Sequence, residues 1–191
     1  MSVKMENEQS ESQSLSRQQE CFRSIVEFLN QHEIDYRTVH HEQTFTSAEA
    51  ASARSVPLTS GGKALLLKID DGQDSYFSLF VMSASRKLNS KAIKKEFKSQ
   101  GKSFKNVRFA TSEELAQITG GLVPGCVPPF GKPILKSGDD AYLDLYVDTS
   151  IGSENLTIAF NAGSLTDSVI MSVQDYIRIA VPTGIFTFSR E

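Results

Sequence analysis

The segment GGLVPGCVPPFG at residues 120–131 is rich in glycine and proline and carries apolar side chains between them. Proline has no amide proton and glycine holds no fixed conformation, so the segment is neither a helix nor an inner strand. Glycine backbone can approach a ligand closely, and prolines fix the shape of a loop before binding. The segment therefore predicts a rigid loop that lines a small-molecule pocket, with a compact packing connection as the alternative.

Lys63 is the second candidate, because it follows two glycines at the head of the apolar run AlaLeuLeuLeu at 64–67. A continuous apolar run of this length suits a strand that is buried on both faces. A lysine at the end of such a strand can reach into a cleft and bind an anion. The alternative is a lysine whose ammonium group returns to water from the strand terminus.

Residues 86–108 form the third candidate feature, since they carry many lysines and arginines and Glu96 as their one acidic residue. The whole chain has a formal net charge of −3, so this segment stands out as positive. Its helical part would present one set of lysines outward: Lys87, Lys91, Lys94, Lys95 and Lys98. Charge of one sign favours a surface that binds a phosphate backbone, with an ordinary solvated helix face as the alternative.

Support for a protein nucleophile or a metal site is weaker. Cys126 lies inside the glycine- and proline-rich segment, but the histidines lie far upstream, so we expect a small packed residue rather than a nucleophile. His40 and His41 close a predicted strand and either rim a pocket or face solvent. The sequence has no metal-ligand spacing, phosphate-binding loop or Ser-His-Asp order, so we expect neither a metal nor a cofactor.

Hydrophobic periodicity and capping patterns predict helices mixed with strands that are joined by hairpins. Helices are expected at 16–32, 46–56, 89–100, 111–120 and 174–180, and strands at 36–40, 64–67, 76–82, 106–110, 142–147, 156–160 and 168–173. The expected fold class is therefore α+β (mixed α/β), with one core. We expect a disordered tail over residues 1–15, a single domain over 16–182 and a C-terminal tail over 183–191.

Composition also indicates where the protein works. The polar, acidic start lacks the apolar core of a secretory signal, and no run is long enough to span a bilayer. The two cysteines, Cys21 and Cys126, have no metal-ligand spacing. We therefore expect a cytoplasmic protein with reduced thiols and no membrane partner.

Lys63 on its apolar strand, followed further along by GLVPGCVPPFG, resembles the YbaK/prolyl-tRNA synthetase insertion-domain family. The resemblance spans residues 20–181 and includes the segments HHEQTFTSAEAA, KALLLK and NAGSLTDSVIMSVQDY. Members of this family are aminoacyl-tRNA editing domains, and free-standing ones hydrolyse amino acids wrongly attached to tRNA, most often tRNA for proline. The resemblance implies an editing-domain-like fold, with a mixed central sheet or barrel and surrounding helices. It also implies mischarged tRNA as the partner, and no DNA.

The resemblance also implies roles for individual residues. Lys63 matches the family's essential lysine, which engages the terminal adenosine or the acyl ester. The family's GxxxP loop falls on Gly125 to Pro129, and its backbone lines the aminoacyl pocket. Members use water, positioned by backbone groups and a ribose hydroxyl, instead of a metal or a protein nucleophile. The implied catalytic residues are Lys63 and Gly125, and the implied substrate-binding residues are Gly121, Cys126, Val127, Pro128, Pro129, Phe130, Gly131, Thr157, Asn161, Gly163, Ser164 and His41.

One position departs from the family pattern, because Thr157 stands where several relatives carry histidine or aspartate. The resemblance still favours an enzyme that hydrolyses the ester of mischarged tRNA in trans, with tRNA for proline carrying a small non-cognate amino acid as the expected substrate. A non-catalytic module that binds tRNA or a synthetase is one alternative, and a sensor of a free amino acid or nucleotide is another. An aminoacyl-tRNA synthetase is a candidate partner.

Overall fold

A computed structural model describes residues 2–131, 134–137 and 141–191, with the backbone alone for 2–11, 136–137 and 141–142. The helices are α1 (Ser2–Gln31), α2 (Ser47–Ala53), α3 (Ser90–Ser99), α4 (Ser112–Thr119) and α5 (Val173–Ala180). The strands are β1 (Tyr36–His40), β2 (Gly62–Asp70), β3 (Ser75–Ser83), β4 (Lys87–Leu88), β5 (Asn106–Phe109), β6 (Lys136–Ser137), β7 (Ala141–Tyr142), β8 (Asp144–Asp148), β9 (Thr157–Asn161), β10 (Asp167–Ser172), β11 (Gly184–Phe186) and β12 (Ser189–Arg190). The expected mixture of helices and strands is confirmed.

The larger sheet has five strands in the order β11-β8-β3-β2-β5. β2 and β3 form the expected antiparallel hairpin, in which Lys63 lies opposite Met82. β8 runs parallel to β3, and β11 runs parallel to β8, so the sheet is mixed. Leu66 of β2 belongs to one hydrophobic core and Leu67 to the other, so both faces of the strand are covered, which explains its continuous apolar run.

The smaller sheet is antiparallel, in the order β1-β10-β9. It meets the larger sheet just before β2 begins, where Gly61 forms a parallel bridge with Ala159 of β9. The approach is so close that a Cβ atom added to Gly62 would lie 2.7 Å from Cδ1 of Ile158. A side chain at Gly62 would therefore displace Ile158 of β9, so this glycine permits the close contact between the two sheets.

Side chains alternate across β3 and so contribute to two cores. Leu79 and Val81 belong to a large core that also holds residues of α1, α5, β9 and β10. Phe80 and Met82 point to the opposite face, into a smaller core with Phe97 of α3. The sheet is therefore covered on both faces, and α3 lies on the side of the smaller core.

The N-terminal segment differs from the expectation. Met1 lies outside the described residues, but α1 begins at Ser2 instead of near Ser16, so the predicted disordered tail is helical here. Residues 2–15 contain no glycine or proline and are rich in glutamate, glutamine and other residues that tolerate a helix. They also continue a helix whose later part is anchored by buried residues such as Ile25 and Leu29, and extending a formed helix is easier than starting one.

The C-terminal segment also differs from the expectation. Residues 183–191 were expected to be a tail, but β11 pairs with β8 and β12 pairs with β4. Phe188 between these strands is fully buried in the smaller core. Strands of two or three residues give little periodic signal, so the sequence did not show that this segment belongs to the domain.

Candidate active site

An open cavity of about 410 Å³ lies near the junction of the two sheets. Its walls come from α2 and the residues before it, from the start of β2, from residues 124–127 and from the end of β9. Four predicted site residues line it together: Lys63, Gly125, Val127 and Asn161. Its lining includes the cations Lys63 and Arg54 and, within the described residues, no carboxylate, so the cavity favours an anionic or electron-rich ligand.

Lys63 is held at the cavity by its backbone in β2 and by its ammonium group. Its Nζ donates a hydrogen bond to the backbone carbonyl of Arg86, which lies just before β4. The side chain is half-buried, and this burial lowers the pKa of Lys63 from its ordinary value. An ammonium group carries three donors, so the bond to Arg86 leaves two N–H groups for a ligand.

Gly125 stands at the exposed tip of the glycine- and proline-rich segment, with a φ of +90° that favours glycine. Its carbonyl accepts a hydrogen bond of 2.7 Å from Nδ2 of Asn161 at the end of β9. In the described part of the chain, no acceptor pairs with the Gly125 N–H group. The turn is therefore fixed through its carbonyl, and its amide donor remains available beside the cavity.

Arg54 is a cavity residue that sequence reasoning missed. It follows α2, is only 5% exposed, and donates to Oγ of Ser168 at 2.8 Å and to the carbonyl of Ala159 at 3.3 Å. A third bond of 2.5 Å runs from its Nη2 to Oδ1 of Asn161. Burial lowers the pKa of Arg54 to about 10, which still leaves the guanidinium charged at neutral pH. An alanine-rich helix gives no sequence signal that the arginine after it turns inward.

Residues 126–131 are buried, in contrast to Gly125. Phe130 makes edge contacts with the rings of Phe28, Phe160 and Tyr176. Pro129 offers its carbonyl to the Tyr176 hydroxyl at 2.7 Å. Of this stretch only Val127 reaches the cavity, so the structure places the other predicted pocket residues behind the wall, namely Cys126, Pro128, Pro129, Phe130 and Gly131.

Cys126 has the environment of a packed residue. It is fully buried, and burial raises the pKa of its thiol to about 12. A thiol with this pKa is almost entirely protonated at neutral pH, and the thiolate is the nucleophilic form. The structure therefore supports the expectation that Cys126 does not attack the substrate.

The remaining predicted pocket residues lie outside the cavity. Thr157 shares a face of β9 with Asn161 but stands four residues away, which is about 13 Å along a strand. His41 contacts the Ser168 hydroxyl through Nε2 at 2.8 Å, and the same hydroxyl accepts a hydrogen bond from Arg54. Gly121 lies beside Arg17 and Gly163 beside Cys21, both on α1. Ser164 lines a neighbouring cavity of about 630 Å³ that lies against α1. Gln43 and Leu165 line both cavities.

The basic segment 86–108 divides into two groups in the structure. Arg86 pairs with Glu154 at 3.6 Å, and Arg108 pairs with Glu114 at 2.6 Å. Lys102 donates to the Tyr146 hydroxyl at 3.1 Å and lies over aromatic rings of the smaller core. The five lysines predicted to bind tRNA are all exposed and take part in none of the ion pairs between described residues: Lys87, Lys91, Lys94, Lys95 and Lys98.

The site offers positioned donors and cations for chemistry on a polar bond. Among the described residues, no group of three or more histidine, cysteine, aspartate or glutamate side chains could hold a metal ion. A lysine ammonium and a loop amide beside one cavity can orient an ester and stabilise the negative charge that develops when water attacks it. In the described ranges, no helix is both long and apolar enough to cross a bilayer.

The sequence matches the aminoacyl-tRNA editing domain family over residues 41–179, and the chain belongs to this family. The matched region contains the cavity residues and the glycine- and proline-rich segment. Editing domains act on the ester bond of aminoacyl-tRNA. The predicted family, fold class and enzyme class, a hydrolase of that ester, are thereby confirmed.

A curated relative from Escherichia coli, the multifunctional Ser/Thr-tRNA deacylase ProXp-y, is 30% identical over 159 residues, which is 83% of this chain and 87% of the relative. A solved structure of a candidate trans-editing enzyme for prolyl tRNA synthetase has a TM-score of 0.64 at 20% identity, covering 90% of this chain and 97% of that one. A solved hypothetical protein has a TM-score of 0.67 at 22% identity, covering 87% and 99%. At these identities the two structures establish the fold.

Proposed function

We propose that this protein hydrolyses the ester between a wrongly attached amino acid and the 3′-terminal adenosine of tRNA, acting in trans, with serine or threonine as the amino acid removed. The observation that carries the proposal is the meeting of Lys63 with the Gly125 turn in one cavity. Residues far apart in the sequence come together there as a cation and an amide donor that has no acceptor among the described residues. This pair suits an ester, whose carbonyl oxygen becomes negative in the transition state.

The proposed mechanism uses position more than reactive side chains. Lys63 holds the terminal phosphate or the ester with its two remaining N–H groups, and the Gly125 amide donates to the ester carbonyl. Water attacks the ester carbonyl carbon and the bond to the ribose oxygen breaks. One water proton goes to the ribose oxygen, which becomes a hydroxyl, and the other goes to solvent, so the amino acid leaves with a free carboxylate. An aminoacyl ester is an activated substrate, so orientation and charge stabilisation can supply the required rate.

Recognition of the adenosine involves the rim of the cavity. The Phe45 side chain lines the cavity and is 82% exposed. Its backbone amide donates to Glu49 Oε2 at 2.8 Å, and this bond fixes the turn before α2. An exposed aromatic ring beside a cavity can stack on a nucleobase, so we assign Phe45 to the terminal adenine.

The polyanionic part of tRNA is assigned to the basic face, formed by Lys87, Lys91, Lys94, Lys95 and Lys98. The contact between Lys63 and Arg86 supports this path, because the basic face begins at the residue after Arg86. The face thus starts beside the cavity and continues along α3. Phosphate groups following the terminal adenosine would meet lysines that form no ion pair with described residues.

The preference for serine or threonine has two supports. The curated relative is named for Ser/Thr-tRNA, and the cavity wall before and at the start of α2 carries polar side chains, including Gln43, Thr44 and Ser47. A pocket that bonds a substrate hydroxyl discriminates strongly against analogues without one. The tRNA acceptor, with tRNA for proline as the expected one, the synthetase partner and the cytoplasmic location remain predictions.

A deacylation panel tests the proposal. Serine, threonine, alanine and cysteine are each attached to tRNA for proline and to a second tRNA, and ester loss is followed with catalytic amounts of protein. We expect seryl and threonyl esters to be hydrolysed fastest, and alanyl esters much more slowly. If the protein hydrolysed none of these esters but bound tRNA tightly, the result would instead support the non-catalytic tRNA-binding module.

A further inference from the structure

We propose that Arg54 is a positioning residue for this site, which sets the Asn161 side-chain amide so that it holds the Gly125 turn. The proposal rests on the proposed function, because the Gly125 turn matters only if it helps to bind the ester. Two consecutive contacts carry it. Arg54 donates to Oδ1 of Asn161 at 2.5 Å, and Nδ2 of Asn161 donates to the Gly125 carbonyl at 2.7 Å.

Arg54 is a buried cation whose hydrogen-bond partners are all neutral. The guanidinium is 5% exposed, and its hydrogen-bond acceptors are a hydroxyl, a backbone carbonyl and an amide, all neutral. Among the described residues, no carboxylate forms an ion pair with it. A buried charge without an opposite charge opposes folding, so the position of Arg54 is better explained by its contacts to Asn161 than by a gain in stability.

Hydrogen-bond chemistry determines the orientation of Asn161. The guanidinium of arginine can only donate, so the asparagine oxygen must face Arg54. The asparagine NH₂ group must then point the other way, toward the Gly125 carbonyl, which can only accept. Without Arg54 the amide could rotate by half a turn and present its oxygen to that carbonyl, which would release the turn.

Arg54 is itself well anchored. The helix before it begins with a capping box, in which Thr46 accepts from the Glu49 amide and Glu49 accepts from the Thr46 amide. The Arg54 amide donates to the Ala50 carbonyl at 3.1 Å, which ties Arg54 to the end of α2. The capped helix α2 thus fixes the position of Arg54, which is the first residue in the chain of contacts to Gly125.

The Asn161→Asp variant distinguishes a role of Asn161 in positioning the Gly125 turn from a role in packing alone. The carboxylate is nearly the same size as the amide and gives Arg54 the ionic partner that it lacks, so the folded state should not lose stability. A carboxylate has no N–H group, however, and it repels the Gly125 carbonyl. If Arg54 and Asn161 served the fold alone, this variant would keep its activity.

The experiment compares Asn161→Asp, Arg54→Gln, the double variant and Arg37→Gln in three measurements. These are single-turnover hydrolysis of threonyl-tRNA and of threonyl-adenosine, melting temperature, and hydrogen–deuterium exchange of the peptide that covers residues 121–127. Arg37 is the matched control, because it is exposed and donates to the outer side of the same Arg54 peptide.

We expect Asn161→Asp to lower the rate on both esters by roughly tenfold, the effect of one lost hydrogen bond, at an unchanged KM for tRNA and an undiminished melting temperature. Arg54→Gln should lower the rate to a similar extent, and the double variant should be no slower than the worse single variant. Amide exchange in the 121–127 peptide should rise in all three and stay unchanged in Arg37→Gln.

Two results would overturn the positioning role. One is a wild-type rate in Asn161→Asp, and the other is a reduced rate with unchanged exchange of the 121–127 peptide, since Asn161 would then act on the substrate directly. The exchange measurement requires no substrate. If the wild-type protein hydrolysed no ester, the proposed function would fail, while increased exchange in Asn161→Asp would still support the chain from Arg54 to Gly125.

Discussion

Two neighbouring parts of the glycine- and proline-rich segment have opposite environments. The open turn, residues 123–125, ends in an exposed Gly125 whose carbonyl is bonded to Asn161. The buried stretch, residues 126–131, lies in the large core, where Phe130 is surrounded by aromatic rings. The open turn borders the cavity, whereas the buried stretch anchors the segment in the core.

The comparison indicates how a loop without reactive side chains can form part of an active site. Loop backbone is ordinarily mobile, and catalysis by hydrogen-bond donors requires that they be positioned before the reaction. Here the adjacent buried stretch is held by the Tyr176 hydroxyl on the Pro129 carbonyl and by the Phe130 ring. Stability and chemistry should therefore respond to different substitutions within a few residues of one another.

The largest effect is expected from Phe130→Ala in the buried stretch. Removing a fully buried aromatic ring leaves a cavity, and such changes cost about 3–5 kcal/mol of folding free energy. Denaturant unfolding should show this loss, while the molecules that remain folded should retain measurable deacylation. A free energy of unfolding within about 1 kcal/mol of the wild-type value would show that the segment is not anchored through Phe130.

A smaller loss of stability but a larger loss of rate is expected from Gly125→Ala in the open turn. The φ of +90° is strained for any L side chain, and the added Cβ would lie 3.1 Å from Cδ2 of Leu165. The cost is about 1–3 kcal/mol if the turn keeps its conformation, and the carbonyl contact to Asn161 is lost if it does not. Single-turnover hydrolysis measures the effect, and wild-type rates would remove the turn from the mechanism.

The basic face extends the comparison to a region that should affect binding alone. Changing Lys91, Lys94 and Lys98 together to glutamate should weaken tRNA binding and reduce the slope of its salt dependence, by about one for each lost phosphate contact. Hydrolysis of threonyl-adenosine, which lacks the polyanion, should remain the same. An unchanged salt slope would mean that these lysines form an ordinary solvated face.

The smallest effect on rate is expected from Cys126→Ala, at the boundary between the open turn and the buried stretch. The thiol is fully buried, and its pKa is raised to about 12, so its removal should cost packing and little activity. Deacylation per folded molecule should stay close to the wild-type value. Complete loss of activity in a folded variant would indicate covalent catalysis by cysteine instead.

Sequence reasoning found residues of the candidate cavity where residue type alone restricts the structure. Glycines and prolines marked the 120–131 segment, and an apolar run marked β2 with Lys63 at its head. It could not separate the open turn from the buried stretch, because glycine and proline suit both tight packing and a ligand wall. Sequence reasoning could not find Arg54, because its partners lie on β9 and β10 of the smaller sheet. Their position depends on how those two strands pair, which the residues around Arg54 do not indicate.

The same limit explains why the family pattern suggested Thr157 for the pocket, although Thr157 does not line the cavity. A strand places every second residue on one face, so both Thr157 and Asn161 satisfy the pattern of β9. Only the meeting of the two sheets at Gly61 and Ala159 determines that the end of β9 borders the cavity. Contacts between distant strands are set by the fold as a whole and leave no local signal.

The account's central claim is that Lys63 and the Gly125 turn form the catalytic site, and single-turnover hydrolysis by Lys63→Ala tests it most directly. Loss of a charge-assisted contact should slow threonyl-tRNA hydrolysis by roughly ten- to two-hundred-fold, with little change in melting temperature. Lys68→Ala is the matched control, because Lys68 lies on the same strand but pairs with Glu114 at 3.1 Å. A folded Lys63→Ala protein with near-normal turnover would contradict the claim.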